Sequence, residues 1–322
     1  MIQECETLAG CNVPEDYPAN YSGYRLTGDA STRSYFRITA PSGHTLVLMK
    51  MPEPFDLKAF PYLDNYHLFR EKGVPLAEIY YMAPESGLVF LQDLGDSTYY
   101  ELYGSWNDQI RLHHYLKSLQ YLRCVESIHP ESDLAFTAER LLWELDYFRK
   151  YFLQGLRKIT LSDEENAGLQ QHFVKLAGEL ADRPRVFCHR DYHSRNLMVR
   201  EDVDYVIDFQ DARFGPATYD LASLCYDSYI QHSQEFIGHL ERLFFTYHPD
   251  PQTQRYEYPR MCLQRNLKAL GTFGYQVTQM DRSFYLQFIE PTLGYVRRHF
   301  EKLPEYVEMR HLLGRHLPEL QS

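Results

Sequence analysis

Residues 185–209 constrain the fold most, because three short apolar segments of strand length stand there in a half of the chain that is otherwise helical in pattern. The segments are RVFCH, NLMVR and YVIDF; the first two enclose the polar loop around His189–Asn196, and the acidic turn 201–204 joins the last two. Short apolar runs bounded by polar turns are typical of strands. Since buried polar groups need partners, a loop this rich in His, Arg, Asp and Asn predicts a functional loop presented by strands.

The first 93 residues have a different pattern from the rest. Alternating polar and apolar residues over 24–52, with turn residues between Tyr35–Thr39 and Thr45–Lys50, predict a meander of about three strands. Residues 56–72 have apolar side chains at helical spacing and end before Gly73. Two more strands are predicted around Leu76–Met82 and Gly87–Leu91. We therefore predict a small α+β lobe of five strands and one helix over residues 1–93.

The remainder, residues 94–322, is predicted to form a larger and mainly helical lobe. Helical periodicity extends over 107–129, 138–156 and 163–181. The third of these begins with Ser162 and Glu165 at the spacing of a capping box, which satisfies two backbone amides at a helix start. The fold class predicted is α+β, with a small β-rich lobe followed by a larger helical one.

Composition excludes several classes of protein. The net charge is −11, and no block rich in Lys or Arg is present, so we expect no nucleic-acid partner. No apolar run approaches the ~20 residues that cross a bilayer, and the N-terminus lacks the pattern of a secretory signal. Six cysteines without a C-x-x-C pair are expected to be reduced thiols. We expect a cytoplasmic protein without a membrane partner.

Three side chains in this region suit the chemistry of phosphoryl transfer. Asp191 and Asn196 stand five residues apart in the polar loop, and Asp208 follows an apolar segment. Amide and carboxylate oxygens are ligands that Mg²⁺ takes together with phosphate oxygens. A further carboxylate can accept the proton of an attacking hydroxyl. A set spaced as H-x-D-x-x-x-x-N and apolar-Asp-Phe is far more specific than any of its members alone.

These motifs resemble those of a known family. His189-Arg190-Asp191 with Asn196, and Ile207-Asp208-Phe209, resemble the catalytic loop and the metal-binding aspartate of the protein-kinase-like fold. GPATYDLASL at 215–224 resembles a signature of the aminoglycoside phosphotransferase family, which phosphorylates small molecules. LTGDASTRSYFR at 26–37, FLQDLGD at 90–96, IDFQDA at 207–212 and LQRNLKALGTF at 263–273 resemble its cell-wall-sugar branch, the N-acetylmuramate/N-acetylglucosamine anomeric kinases.

The resemblance implies an ATP-dependent sugar kinase with a two-lobed, protein-kinase-like fold. Asp191 would be the catalytic base or would orient the hydroxyl, and Asn196 and Asp208 would hold Mg²⁺. The small lobe would bind ATP through a phosphate-covering turn, through cationic side chains and through the backbone of an inter-lobe hinge. The residues implied for these tasks are Gly28, Asp29, Ala30 and Ser31, then Arg33 and Lys50, then Gln92, Asp93 and Leu94. The partners would be ATP and a small sugar.

Several roles remain open at this stage. Either Lys50 or Arg33 could be the cation on the phosphates, and neither Asp64 nor Glu71 is distinguished as its acidic partner. Asp220 would brace the catalytic loop by resemblance, and a helix N-cap is an equally physical use for it. Three side chains near the loop are candidates for the acceptor, where an arginine could meet a carboxylate. They are Arg195, Asp211 and Arg213.

Other activities share parts of this pattern. An aminoglycoside kinase or a choline- or homoserine-type kinase would use the same Asp-x-x-x-x-Asn logic. A protein kinase is disfavoured, because the chain has neither G-x-G-x-x-G nor A-P-E. An inactive kinase-like regulatory module is a different class of protein, and the presence of Asp191, Asn196 and Asp208 argues against it.

Overall fold

The structure is a computed structural model that describes residues 22–26, 33–40, 43–130, 134–248 and 250–321. The chain divides into two compact units. The first is formed by residues up to Ser97 together with Met198–Gln210, and the second by Thr98–Leu197 together with the residues from Asp211 onward. The division into a nucleotide-binding lobe over 1–93 and a catalytic lobe over 94–322 stays a prediction, because it assigns functions to these parts.

The first unit is built on a five-stranded antiparallel sheet, as the sequence predicts. Its strands are adjacent in the order β1-β2-β3-β5-β4. One face forms the core of this unit, where Phe36, Leu48 and Phe90 are buried together. The strands are β1 (Ser22–Leu26), β2 (Ser34–Thr39), β3 (Thr45–Lys50), β4 (Ile79–Ala83) and β5 (Leu88–Gln92).

The helix of the first unit is shorter than predicted. Helix α1 spans Pro61–Glu71, and Leu57–Ala59 form a separate 3-10 turn. Pro61 occupies the first helical position, where its missing N–H leaves no hydrogen bond unmade. The predicted start at residue 56 is therefore wrong by five residues, because apolar spacing alone does not show where a proline begins the regular turns.

The second unit is mainly helical, and helices occur where periodicity predicts them. The serine and glutamate of the predicted capping box at 162 and 165 exchange both hydrogen bonds. The helices are α2 (Tyr99–Leu102), α3 (Asp108–Glu126), α4 (Ala138–Tyr147), α5 (Asp163–Ala181), α6 (Tyr219–Cys225), α7 (Gln234–Tyr247), α8 (Tyr258–Gln279), α9 (Ile289–Glu301) and α10 (Val307–Gly314).

Helix α8 lies unusually close to the segment that continues helix α4. That segment, Phe148–Leu156, has π-helical hydrogen bonds, which rotate its side chains relative to a regular helix. A Cβ atom on Gly271 of α8 would lie 2.6 Å from the backbone nitrogen of Phe148, so only glycine permits this approach. The close packing fixes α8, whose next turn toward the N-terminus carries Arg265 and Lys268.

Four short strands lie along the chain on either side of the polar loop, and one of them was not predicted. Strands β6 (Arg185–Cys188) and β9 (Arg213–Pro216) pair antiparallel in the second unit. Strand β7 (Leu197–Arg200) pairs with β8 (Val203–Val206). The predicted four-residue turn 201–204 and the strand 205–209 are wrong at their boundaries. Only Glu201 and Asp202 form the turn, both with positive φ, as a two-residue hairpin of type I′ requires.

Within the described ranges, no helix has the length and apolar character needed to span a bilayer. The four cysteines that the structure describes, Cys124, Cys188, Cys225 and Cys262, are free thiols, as predicted. Cys5 and Cys11 lie outside the described residues.

Candidate active site

The polar loop between β6 and β7 is held at its start by Asp220. The Asp220 carboxylate accepts hydrogen bonds from the backbone N–H groups of His189, at 2.6 Å, and Arg190, at 2.9 Å. Arg190 has φ +86°, a backbone conformation that non-glycine residues adopt only when their surroundings enforce it. Asp220 lies in the first turn of α6, and the N-cap of that helix is Thr218. The geometry thus favours the bracing interpretation over the N-cap.

A second buried carboxylate holds the end of the loop. Asp227 accepts hydrogen bonds from the backbone N–H groups of Ser194 and Tyr229, both at 2.8 Å. The hydroxyl of Tyr192 donates to the backbone carbonyl of Ser118 at 2.8 Å, which ties the middle of the loop to α3. The backbone of the loop is therefore rigid before any ligand binds. Preorganised groups of this kind are what catalytic sites require.

Asp191 is surrounded by cations of helix α8. The Nζ of Lys268 lies 2.8 Å from Oδ1 of Asp191, and a terminal nitrogen of Arg265 lies 3.5 Å from the same oxygen. Burial by itself would raise the pKa of Asp191, but Lys268, Arg190 and Arg265 outweigh it and hold the pKa well below its ordinary value. A carboxylate this acidic is a weak base. The surroundings favour orientation of a hydroxyl by Asp191 over strong proton abstraction.

Only one oxygen of Asp191 takes part in these ion pairs. Among the described residues, Oδ2 has no hydrogen-bond partner, and the side chain retains a quarter of its exposure. Asp191 also lines a cavity of about 80 Å³ in the second unit. An acceptor hydroxyl could therefore donate a hydrogen bond to Oδ2 without displacing either cation.

Asp211 and Arg213, both predicted near the acceptor, are paired with each other. The Nε of Arg213 donates to the backbone carbonyl of Asp211 at 3.1 Å, and a terminal nitrogen lies 3.8 Å from the carboxylate. Arg190 lies 3.9 Å from that carboxylate and 3.7 Å from the buried carboxylate of Glu144. The charges of Asp211 and Arg213 are thus largely balanced within the chain.

Arg195, the third residue predicted near the acceptor, is enclosed by aromatic rings. Its guanidinium lies 5.7 Å from the ring centroid of Tyr100, 5.0 Å from that of Tyr229 and 5.6 Å from that of Phe284. Cations placed over ring faces are stabilised by the ring quadrupole. This arrangement holds Arg195 within the protein, whereas the commonest environment of an arginine is solvent.

Asn196 has the orientation that a metal ligand needs. Its Nδ2 donates to the backbone carbonyl of Asp191 at 2.8 Å, so the amide oxygen points the other way. Oxygen is the donor that hard divalent cations prefer, and Mg²⁺ keeps waters and phosphate oxygens in addition to few protein ligands. In the part of the chain that the structure describes, no three acidic, His or Cys side chains form a metal-holding group.

Asp208 lies in the first unit, where the backbone turns sharply after β8. Its φ is +64°, and its Oδ1 accepts a hydrogen bond from Nε2 of Gln210 at 2.6 Å. The amide of Asn65 in α1 donates to the backbone carbonyls of Phe209, at 3.1 Å, and Gln210, at 3.0 Å. The ring of Phe209 packs against Tyr62 of the same helix, with centroids 4.9 Å apart. Helix α1 therefore fixes the backbone that carries Asp208.

The residues predicted to bind the nucleotide are only partly described. Gly28, Asp29, Ala30 and Ser31 lie outside the described residues. Arg33 makes a side-chain hydrogen bond with Tyr35, and the charge of Asp208 also acts on that tyrosine. Lys50 lies at the exposed end of β3, and none of the described carboxylates forms an ion pair with it. The choice between Arg33 and Lys50 stays open.

The three predicted hinge residues differ in how many of their hydrogen-bonding groups are unused. Both the N–H and the side chain of Gln92 are bonded to the backbone of Glu78. The carboxylate of Asp93 pairs with Arg37, and its carbonyl accepts from Arg200. Leu94 is buried, and its backbone N–H and C=O have no hydrogen bond to the described residues. Of the three, Leu94 offers the backbone groups that a purine could use.

Sequence reasoning missed the groups that come from distant parts of the chain. Lys268 and Arg265 are more than seventy residues from Asp191, although the segment 263–273 was singled out as a motif. The signal available was two cations three residues apart within the segment 263–273, a spacing that places them on one face if the segment is helical. Asn65, Arg37 and Asp227 gave no such signal, because single polar residues in amphipathic elements are common.

A β-rich first unit with an Asp-Phe turn, and a helical second unit with a braced H-x-D-x-x-x-x-N loop, define a phosphotransferase of protein-kinase-like fold. Comparison with family models agrees: residues 23–256 match the phosphotransferase enzyme family, and the chain belongs to that family. It is a phosphotransferase whose acceptor is a hydroxyl group. The fold class and family predicted from the sequence are confirmed.

The chain is similar over most of its length to curated relatives. It is 31% identical over 306 residues to the N-acetylmuramate/N-acetylglucosamine kinase of Neisseria meningitidis serogroup B, with 89% of each chain covered. It is 27% identical over 306 residues to the protein of the same name from Pseudomonas putida, covering 92% of this chain and 87% of that one.

Solved structures show the same fold at low identity. A choline/ethanolamine kinase family protein from Mesorhizobium loti superposes with a TM-score of 0.62 at 15% identity, covering 99% of both chains. The ADP-bound aminoglycoside phosphotransferase APH(2'')-Ib gives a TM-score of 0.57 at 14% identity, covering 93% of this chain and 98% of that one. These likenesses establish the architecture that presents the loop.

Proposed function

We propose that this protein transfers the γ-phosphate of ATP to the anomeric hydroxyl of N-acetylmuramate or N-acetylglucosamine. The geometric observation that carries the proposal is Asp191, which lines a cavity with one carboxylate oxygen uncommitted and with its backbone braced at both ends of the loop. The relatives from Neisseria meningitidis and Pseudomonas putida are named N-acetylmuramate/N-acetylglucosamine kinase, which supports the choice of acceptor. The product would be a sugar 1-phosphate, and with ATP as the donor we expect the reaction to be cytoplasmic.

Asp191 orients the acceptor in this proposal. The anomeric hydroxyl donates to Oδ2, and its oxygen attacks the γ-phosphorus. The new O–P bond forms as the bond from phosphorus to the bridging oxygen breaks, with that electron pair leaving on ADP. The proton passes to Oδ2 and then to solvent. Because phosphoryl transfer has a loose transition state, positioning matters more than a strong base, and the low pKa of Asp191 suits this.

Asn196 and Asp208 are proposed to hold Mg²⁺ through side-chain oxygens. When bound, the ion would offset the negative charge of the nucleotide phosphates. Asn196 fits because its nitrogen is already bonded to the chain, which leaves the oxygen for the metal. Leu94 is proposed to bind adenine through its backbone, while Arg33 or Lys50, together with the turn Gly28–Ser31, would contact the phosphates.

The test is phosphate transfer from labelled ATP to a panel of acceptors. The panel contains N-acetylmuramate, N-acetylglucosamine, glucose, kanamycin, choline and homoserine. Label on an N-acetyl sugar, released by mild acid as a 1-phosphate, is the expected result. Label on kanamycin or choline with neither N-acetyl sugar labelled would contradict the proposed acceptor. Loss of transfer in Asp191→Asn, with nucleotide binding retained, ties the signal to this site.

A further inference from the structure

The cavity beside Asp191 is lined by many polar groups, but most of them are already bonded within the chain. Both carboxylate oxygens of Asp227 accept backbone N–H groups. The amide nitrogen of Asn266 donates to Tyr226 and Ser228, and its oxygen is bonded to His299. These side chains shape the wall, and they have little capacity left for a ligand.

Arg265 is committed in the same way. Its Nε donates to Oγ of Ser223 at 2.8 Å, and one terminal nitrogen donates to the hydroxyl of Tyr219 at 3.1 Å. The other terminal nitrogen faces Asp191 at 3.5 Å, and the guanidinium lies 4.7 Å from the ring centroid of Tyr219. Arg265 therefore contributes charge to the cavity and few unused donors.

Lys268 is different, because its ammonium has three N–H donors and uses one. The single contact is to Oδ1 of Asp191 at 2.8 Å, and among the described residues no other acceptor is bonded to its Nζ. Its side chain is only 15% exposed, so water has limited access to the remaining donors. Charged donors left without acceptors in a buried place cost free energy, and a ligand that supplies an acceptor recovers it.

The charges of the cavity indicate which ligand this is. His193 also lines the cavity. Both oxygens of the Asp227 carboxylate are bonded to backbone N–H groups, so Asp191 is the carboxylate of this wall that has an oxygen left for a ligand. Lys268 and Arg265 are the cations of this wall. Among the described charged groups of the wall, Lys268 has the most unused donors, and a carboxylate is the acceptor that would satisfy them.

We propose that Lys268 binds a carboxylate of the acceptor next to the reacting hydroxyl, and so sets the preference for a carboxylated sugar over a neutral one. This rests on the proposed function and deepens it. N-acetylmuramate is N-acetylglucosamine with a lactyl ether, so only N-acetylmuramate has the carboxylate that Lys268 would bind. Arg213 is a poorer candidate for this task, because it does not line this cavity and its Nε already donates to the backbone carbonyl of Asp211.

The experiment compares kcat/KM for N-acetylmuramate and N-acetylglucosamine in the wild type, Lys268→Met and Lys268→Arg. A charge-assisted hydrogen bond contributes about 1.5–3 kcal/mol, which corresponds to a factor of about 10–150. We expect Lys268→Met to lower the ratio of the two kcat/KM values by about tenfold or more, mainly through KM for N-acetylmuramate. Lys268→Arg keeps the charge and is expected to keep most of the ratio. Lys175→Met, at an exposed position of α5, is the control.

A ratio that stays unchanged in Lys268→Met, with kcat falling equally for both sugars, would overturn the inference and leave Lys268 as a positioning residue for Asp191. Calorimetric binding of the two sugars to wild type and Lys268→Met separates this from failure of the proposed function. If the wild type phosphorylates neither sugar, the proposed function fails. Tighter binding of N-acetylmuramate that disappears in Lys268→Met would still support the assignment of Lys268, and absence of such a difference would overturn it.

Discussion

Arg37 in the first unit and Lys268 in the second are both largely buried cations paired with aspartates, but they differ in how much of their hydrogen-bonding capacity is used. Arg37 donates to Tyr24, to Asp93 and twice to Asp96, and its Nε forms an ion pair with Asp93. Lys268 makes one such contact. We call Arg37 with its aspartates the saturated cluster, because its donors are used within the first unit. We call Lys268 with Asp191 the unsaturated cluster, because donors of Lys268 remain unused beside a cavity and are available to a ligand.

The same difference is found in the aspartates. The pKa of Asp93 is lowered, because the hydrogen bond from the Gly95 N–H and those from Arg37 outweigh the effect of burial. The pKa of Asp191 is also lowered, against burial, by cations. Both oxygens of Asp93 have partners, whereas Oδ2 of Asp191 has none among the described residues. A lowered pKa is therefore common to both carboxylates, and they differ in their unused hydrogen-bonding capacity.

The largest effect is expected from breaking the saturated cluster. Arg37→Met leaves the carboxylate of Asp93, 8% exposed, buried without its cation. Removing one partner of a buried ion pair destabilises by about 3–5 kcal/mol. We expect a loss of this size in the free energy of opening measured by hydrogen exchange at β2 and β5. Asp96→Asn is the control, since Asp96 is 79% exposed and its surface pair contributes about 0–1 kcal/mol. Equal protection in both variants would show that Arg37 is not structural.

The next largest effect concerns the unsaturated cluster and should appear in turnover. Asp191→Asn removes the charge that orients the acceptor, and we expect kcat to fall by ~10² or more, as for the loss of a general base. Nucleotide affinity is expected to change little, because the substitution keeps the shape of the side chain. Asp108→Asn, at a 96% exposed position, serves as the control. Turnover of Asp191→Asn close to that of the wild type would remove Asp191 from the mechanism.

A smaller effect is expected from the support of Asp208. Asn65→Leu removes the two hydrogen bonds to the carbonyls of Phe209 and Gln210 while keeping the volume of the side chain. Groups that orient a metal ligand typically contribute 10–100-fold to metal affinity or activity. We expect a rise of about tenfold in the Mg²⁺ concentration needed for half-maximal rate. His67→Gln, exposed on the same helix, should leave this value unchanged, and an unchanged value in Asn65→Leu would disprove the link.

The smallest effect is expected at a cluster near the surface. The pKa of Glu165 is lowered to about 2 by a hydrogen bond from the backbone N–H of Ser162 and by hydrogen bonds from the side chains of His316 and Arg315. Because the folded-state pKa lies below the unfolded value near 4.5, the stabilisation is present above about pH 4.5 and is lost as the pH falls toward 2. Glu165→Gln should therefore lower Tm at pH 6 and reduce the fall in Tm between pH 4.5 and 2. Parallel curves for the two proteins would contradict this.

Local sequence was sufficient for the elements and for the loop. The five strands of the first unit, the capping box at Ser162 and the position of Asp191 between two strands follow from residue types and short spacings. The predicted strand boundaries were wrong where two local signals in the sequence indicate different structures. Val203–Val206 is a strand although the charges of 201–204 indicate a turn, and Arg213–Pro216 is a strand although Gly-Pro indicates a break.

The surroundings of Asp191 could not be predicted, because they depend on contacts between distant segments. The approach of α8 to Phe148–Leu156, permitted by Gly271, fixes the helix that carries Arg265 and Lys268. Nothing in the sequence near residue 191 indicates that its carboxylate pairs with Lys268. The same is true of Asn65, which is 144 residues from Phe209.

The sequence by itself determined the family and the two types of lobe, and it supplied the residues that we propose for the chemistry, because each of these depends on composition, periodicity or a motif of fixed spacing. The tertiary structure alone decided which carboxylate oxygen of Asp191 is available, which cation has donors left and which carbonyls hold the turn at Asp208. Each of these properties depends on how many hydrogen bonds a side chain can make and on how many of them its neighbours already occupy. Only packing in three dimensions specifies those neighbours.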